Sequence, residues 1–227
     1  MKFISVIPAR ANSKGIKNKN IYPLNGKPMI DYTFKEIKKS KLKNNFVLTD
    51  SSYIKRLSKS YNINCGYERP KKISKSTTSL SETLYHFYEW TKKKNIQFDY
   101  LVILQPTSPL RNYSDINKAL KIVKKNRCKS LFSISQSLEH PYEVIKKNKK
   151  NWNYILKKAK NYFRRQDFDL KTFFINGAIY ITHKDLIKKK KIFNFANHRF
   201  LIMPKDRSIE INDREEMKIV KSLLNNL

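Results

Sequence analysis

Residues 3–20 read FISVIPARANSKGIKNKN, and the two halves of that stretch decide the fold. Phe3 to Ala9 is a continuous apolar run of strand length, the pattern of a strand covered on both faces in a parallel sheet. A polar loop, Arg10 to Asn20, follows without a break and carries Ser13, Lys14, Gly15, Lys17 and Lys19. In open parallel sheets, ligands sit at the carboxyl ends of the strands. Cations, a hydroxyl and backbone donors in that position suit phosphates, although the spacing is not that of a Walker loop. One such lysine alone reads as a solvated surface group; the whole set after a buried strand reads as a binding loop.

Working outward, Asn25-Gly26 marks a turn, and Met29 to about Lys41 has a helical stripe of Ile30, Phe34 and Ile37. Phe46 to Thr49 reads as a strand and Ser51 to Tyr61 as a helix. Ser79-x-x-Glu82 has the spacing of a capping box and opens a third helix. Tyr100 to Leu104 (YLVIL) is as apolar as the first strand. Ser114 is the expected cap of a fourth helix with Ile116, Ala119, Leu120 and Val123 facing inward. Ser130 to Ser135 is another strand. This alternation predicts an α/β fold with a mainly parallel sheet and helices on both faces.

From 136 to 171 the sequence is polar and aromatic without a clean period, which reads as an insertion or arm within one domain spanning 1–227. Phe173 to Thr182 and Phe200 to Met203 return to strand character. A helix from Asp213 to Leu224, with Met217, Val220 and Leu224 on one side, closes the chain.

Composition bounds the function. The chain has 227 residues with 40% hydrophobic and 12% aromatic content, which excludes intrinsic disorder and permits a real core. Two cysteines, Cys65 and Cys128, are too few for a disulfide framework or a cysteine zinc site. The apolar runs are too short for a membrane span, and the N-terminus lacks the stretch of a signal peptide, so a cytoplasmic setting with no membrane partner is expected. The 49 Lys and Arg against 18 Asp and Glu leave +31, which raises a basic nucleic-acid-binding protein as the alternative from another class. The lysines are spread along the whole chain, as in TKKKN, IKKNKKN and LIKKKK, and no nucleic-acid motif accompanies them. Solvated helix ends explain them better, and no specific nucleic-acid partner is expected.

Three polar constellations follow strands: Arg10 to Asn20, Gln105 to Arg111, and Asn176-Gly177. IPARANSKGIKNKN resembles the N-terminal nucleotide-binding motif of the acylneuraminate cytidylyltransferases, and LQPTSPLR (Leu104 to Arg111) is similar to that family's second motif. Arg165-Gln166, NGAIYI (Asn176 to Ile181) and SIEIND (Ser208 to Asp213) resemble later motifs in the same order. The resemblance implies a Rossmann-like nucleotidyltransferase fold with a dimerisation arm and a homodimer with shared sites. It implies transfer of cytidylate from CTP to a nine-carbon 2-keto sugar acid, for surface glycan synthesis. The sister family activating Kdo opens with a Ser/Thr-Arg-Leu-Pro loop instead of SKGIKNKN; Kdo is the alternative acid.

The resemblance also implies roles for residues of this chain. Arg10, Ser13, Lys14, Lys19 and Asn20 would hold the triphosphate, Lys19 countering charge on the departing pyrophosphate, and Arg69, Thr78 and Ser79 would line the cytidine pocket. Gln105 would touch the sugar, while Tyr180 and Phe193 would wall its acyl side, where a core role is equally open. With Arg10 and Lys19, Gln105 completes the catalytic set. Arg165 would meet the sugar carboxylate with a planar guanidinium. His140-Pro141 matches a further motif, but Glu143 departs from the basic residue of sialic acid synthetases, which opens the reading to a legionaminic-type acid. Mg²⁺ is the implied cofactor, with Glu210, Asn212 and Asp213 as candidate ligands. In an extended segment Glu210 and Asn212 share a side, and Asp213 would instead cap the last helix.

Overall fold

The computed structural model describes residues 1–11, 13, 15–75, 77–156, 164, 166, 168, 170–192 and 197–225. Its centre is a six-stranded sheet of β1 (Phe3–Pro8), β4 (Asn44–Leu48), β5 (Tyr100–Ile103), β6 (Ser130–Gln136), β9 (Phe173–His183) and β10 (His198–Ile202), in the order β10-β6-β9-β5-β1-β4. The pairings of β1 with β4 and β5, and of β10 with β6, are parallel. β9 enters between β5 and β6 antiparallel to both. The sheet is therefore mainly parallel, as the alternation of elements predicts. Two small hairpins stand apart: β2 (Pro23–Leu24) with β3 (Lys27–Pro28), and β7 (Ile145–Asn148) with β8 (Asn151–Tyr154).

Helices cover both faces. On one lie α1 (Met29–Lys39), α2 (Ser52–Ser60) and α4 (Tyr113–Asn126), whose Ile30, Phe34, Ile37, Ile54, Ile116, Ala119, Leu120 and Val123 pack against Ile7, Val47, Val102 and Leu131 of the strands. On the other lie α3 (Leu80–Lys93) and α5 (Lys184–Lys188), packed on Ile4, Val6, Leu101 and Ile103. Consecutive strand residues thus feed opposite cores, which is why β5 is apolar throughout and β1 departs from that only at Ser5. Phe46, Tyr67, Phe87 and Trp90 form a ring cluster with centroids 5.3–6.0 Å apart. Such pairs contribute about 0.5–1.5 kcal/mol each beyond burial. A third core joins Ile16, Leu24, Met29, Leu110 and Ile211 to Met217 and Val220 of α6 (Arg214–Asn225).

Ser79 forms both halves of the expected capping box with Glu82. The fourth helix differs from expectation. It starts at Tyr113, and its cap is Asn112, whose side chain accepts from the Asp115 amide at 3.1 Å while Asp115 accepts from the Asn112 amide. This reciprocal box satisfies two donors at once and leaves Ser114 inside the first turn. The segment between β6 and β9 holds a turn at Pro141–Glu143 and the β7–β8 hairpin, all of whose residues are exposed. Among the described residues no helix is long and apolar enough to cross a membrane.

Candidate active site

The loops at the carboxyl ends of β1 and β5 open a cleft of about 350 Å³. Arg10, Ser13, Gly15, Lys19, Asn20, Arg69, Thr78, Gln105, Glu210 and Asn212 all line it, so residues two hundred positions apart meet there. Lys14, Arg165 and Phe193 lie outside the described residues.

The first loop is held by bonds to three other segments. The Ala11 amide donates to Asp50 Oδ1 at 2.7 Å, and Nδ2 of the buried Asn20 side chain donates to the Arg10 carbonyl at 2.9 Å. Asn20 thus shapes the loop from beneath. Arg10 Nη1 donates to the Lys75 carbonyl at 3.2 Å. Asn18, in the left-handed region at φ 55°, turns the chain into the short 3₁₀ turn Lys19–Ile21. Asparagine tolerates that conformation better than most residues. Lys19 Nζ then donates to the Ile211 carbonyl at 2.9 Å. Burial pulls the Lys19 ammonium below its ordinary value, against the opposing pull of Glu210 and Glu216.

Arg69 reaches the far wall because residues 46–49 bridge to residues 64–68 beside β4. Its guanidinium donates to the Ile73 carbonyl at 2.7 Å and to Thr83 Oγ1 of α3 at 3.0 Å. Burial lowers its pKa. Thr78 and Leu80 line the cleft beside it, while Ser79 directs its hydroxyl and amide to the capping box with Glu82.

Glu210 is the carboxylate of the cleft. Thr107 Oγ1 donates to its Oε1 at 2.8 Å, and the Ile211 amide donates to the Thr107 carbonyl at 2.8 Å. Burial raises the Glu210 pKa, opposed by the Thr107 hydroxyl and the Lys19 ammonium. Residues 208–212 form no strand, yet Glu210 and Asn212 both line the cleft, while Asp213 does not. Asp213 Oδ1 accepts the Glu215 and Glu216 amides at 2.9 Å and caps α6. This is the capping role expected of Asp213 from the sequence. Among the described residues, no group of three or more His, Cys, Asp or Glu could hold a metal by itself.

Gln105 Nε2 donates to the Gly177 carbonyl at 3.2 Å. Tyr180 stays outside the cleft lining: its ring is half-buried, edge-on to Phe132 at 6.0 Å, on the α3 side of the sheet. Burial, with Glu210 nearby, pushes its hydroxyl up to about 12.

Thr107, Thr83 and Arg111 escaped the sequence reading as individual site residues. Thr107 and Arg111 stand within LQPTSPLR, and a basic residue after a buried strand was the available signal. Arg111 is 1% exposed and donates to the Gln105 and Ala178 carbonyls at 3.1 and 2.8 Å and to Thr33 Oγ1 at 2.7 Å. Burial pushes its pKa down to about 10. Nothing local points to Thr83, whose partner in the cleft, Arg69, lies fourteen residues away.

Known proteins resemble the chain along its length. N-acylneuraminate cytidylyltransferase of Streptococcus agalactiae serotype III (strain NEM316) is 29% identical over 219 residues, 95% of this chain and 52% of that protein, so this chain spans about half its length. CMP-N,N'-diacetyllegionaminic acid synthase of Legionella pneumophila (strain Philadelphia 1) is 28% identical over 99% of this chain and 97% of that one. The structure of CMP:2-keto-3-deoxy-manno-octonic acid synthetase complexed with CTP superposes with a TM-score of 0.72 at 15% identity, covering 100% of this chain and 99% of that chain, a likeness of fold. The cytidylyltransferase family profile matches residues 4–223, and the chain belongs to that family.

Proposed function

We propose that this protein activates a nonulosonic acid, of the sialic or legionaminic type, with CTP to give the CMP-sugar and pyrophosphate. The observation that carries the reading is the cleft itself: Arg10, Lys19 and Arg69 ring a pocket whose one carboxylate among the described residues is the half-buried Glu210, at the carboxyl ends of two parallel strands. The relatives above are named for this chemistry. The anomeric hydroxyl of the acid attacks the α-phosphorus, the P–O bond to pyrophosphate breaks, and the hydroxyl proton passes to solvent water. Arg10, Ser13 and Lys19 bind the phosphates, and Lys19 faces the charge that develops on the departing pyrophosphate. Arg69 and Thr78 sit where the nucleoside end would lie, and Gln105 faces the acid.

Mg²⁺ fits the donor set. Glu210 is a carboxylate that burial leaves under-compensated, and Mg²⁺ takes one or two protein carboxylates together with substrate phosphates. Glu210 would hold it, with Asn212 beside it. When bound it would neutralise phosphate charge. The resemblance adds Arg165 for the acid's carboxylate and Phe193 for its acyl group.

A homodimer is part of the proposal. The exposed hairpin carries Trp152 at 62% exposure, and Leu138, Phe174, Ile175, Ile209 and Ile219 line a largely apolar hollow of about 570 Å³ beside the cleft. Exposed apolar surface of this extent suits a protein partner. A cytoplasmic setting goes with CTP as the proposed substrate.

Pyrophosphate release, assayed with each of the four nucleoside triphosphates against N-acetylneuraminate, N,N'-diacetyllegionaminate and Kdo, tests the reading. Turnover with CTP and a nine-carbon acid is expected; turnover only with Kdo, or only with another triphosphate, overturns it.

A further inference from the structure

We propose that Asn176 is a positioning residue whose carboxamide sets the places of Glu210 and Gln105 in the cleft. The proposal rests on the reading of Glu210 as the cation-binding carboxylate. The geometry starts with a bulge. β6 and β9 pair in register at Phe132↔Tyr180 and again at Ile134↔Ile175, so residues 176–179 of β9 stand opposite Ser133 alone. Bulges beside active sites re-aim side chains, and this one is stitched by side chains. Ser133 Oγ accepts the Ile179 amide at 2.8 Å and donates to Asn176 Oδ1 at 2.6 Å. The same Oδ1 accepts the Ala178 amide at 3.2 Å.

The other end of the carboxamide faces the 208–212 segment. Asn176 Nδ2 donates to Ser208 Oγ at 2.9 Å and has Met203 Sδ at 3.7 Å. Ser208 Oγ gives its proton to the Pro204 carbonyl at 2.6 Å, so toward Asn176 it must accept. At 1% exposure, Asn176 therefore needs an acceptor on one side and a donor on the other. A carboxylate would supply only the first.

The consequence reaches the cleft through Gly177. Its φ of +72° follows from the bulge, and its carbonyl receives Gln105 Nε2 at 3.2 Å. A Cβ there would lie 2.5 Å from Glu210 Oε2, so Glu210 is seated directly on the glycine. Asn176 thus fixes both the surface under Glu210 and, through Ser208, the segment that carries it.

The Asn176→Asp variant keeps size and acceptor but cannot donate to Ser208. Calorimetry of CTP binding with Mg²⁺ and with EDTA, and turnover against Mg²⁺ concentration with the acid that reacts in the panel above, give the readouts. We expect about a tenfold rise in half-saturating Mg²⁺, and a matching loss of the CTP affinity gained with Mg²⁺, as for partners that orient a metal ligand. CTP affinity in EDTA should stay within about twofold, since a purely structural defect would weaken both. Ser208→Ala should move the same quantities the same way by less. On a Glu210→Gln background, Asn176→Asp should add no further Mg²⁺ effect.

Wild-type Mg²⁺ dependence in folded Asn176→Asp, or equal effects on both backgrounds, overturns the proposal. If Asn176→Asp does not fold, Ser208→Ala decides by the same measure. A Mg²⁺ shift in Glu210→Gln without one in Asn176→Asp overturns the positioning claim alone. A wild-type Mg²⁺ requirement in Glu210→Gln overturns the cation reading, and the claim about Asn176 with it.

Discussion

Lys19 Nζ donates to the Ile211 carbonyl at 2.9 Å, a bond across 192 residues that ties the phosphate loop to the segment bearing Glu210. Gly15 tightens the same junction, since a Cβ on it would lie 3.1 Å from the Asn212 carbonyl. Loop and carboxylate therefore share one position, and a change in either reaches the other.

Lys19→Ala should cut kcat by about a hundredfold or more, the scale on which a preorganised charge stabilises a transition state. Lys19→Arg should retain part of the activity. Because burial lowers the Lys19 pKa, activity that needs the ammonium falls as pH rises through a value below 10.5, and Lys19→Arg should move that alkaline limb upward. A pH–rate profile checks both; an unchanged kcat in folded Lys19→Ala would remove Lys19 from the mechanism.

Gly177→Ala joins two penalties. A left-handed φ costs an L-residue about 1–2 kcal/mol, and the new Cβ would collide with the Glu210 carboxylate. With about 2–4 °C of Tm per kcal/mol for a chain of this size, a clear drop in melting temperature should accompany a loss of kcat. A variant that melts and turns over like the parent would mean the bulge carries no constraint.

Arg111→Met should destabilise by about 1–3 kcal/mol for each buried acceptor left unsatisfied. Thr33 and Ala178 lose the donor that Arg111 supplies, while the Gln105 carbonyl keeps only the longer bond from the Ser108 amide at 3.4 Å. Chemical denaturation measures the loss, and KM for the acid should rise as well, because the Gln105 backbone is released. Stability unchanged within error would contradict the role of Arg111 as the peg of this loop.

The elements that local patterns announce are the ones the sequence makes visible. Apolar runs mark β1 and β5, and Ser79-x-x-Glu82 marks the start of α3, because burial on both faces and reciprocal capping leave traces within a few residues. For the fourth helix the expected cap is Ser114, and Asn112 takes the place because Asp115 stands three residues on as its capping-box partner. Strand order left no such trace. That β9 enters antiparallel between β5 and β6 depends on pairing across the whole domain. The first loop could be read as a binding loop from its cations, whereas the Thr107–Glu210 and Arg69–Thr83 bonds join residues that no spacing rule connects. Asn212 and Asp213 fall on the legible side: alternation along an extended segment and the cap preference of aspartate separate them in the sequence, and the Asp213 bonds at the start of α6 agree.

Thr107 gives the sharpest test of the cleft's electrostatics. Its hydroxyl donates to the charged form of Glu210 and so lowers a pKa that burial raises. A raised carboxyl pKa means the proton stays on to higher pH, so activity that needs the carboxylate falls on acidification earlier than for an exposed glutamate. Thr107→Val keeps the shape and removes the donor. The Glu210 pKa should rise further and the acid limb of the pH–rate profile should move to higher pH, while the alkaline limb set by Lys19 stays in place. The Mg²⁺ requirement at neutral pH should increase by about tenfold, the size expected when a partner of a metal-binding carboxylate is lost. In Glu210→Gln the acid limb should vanish, and adding Thr107→Val should then change nothing on that side. An acid limb that persists unchanged in Glu210→Gln belongs to another group, and the carboxylate of this cleft would then titrate outside the catalytic cycle.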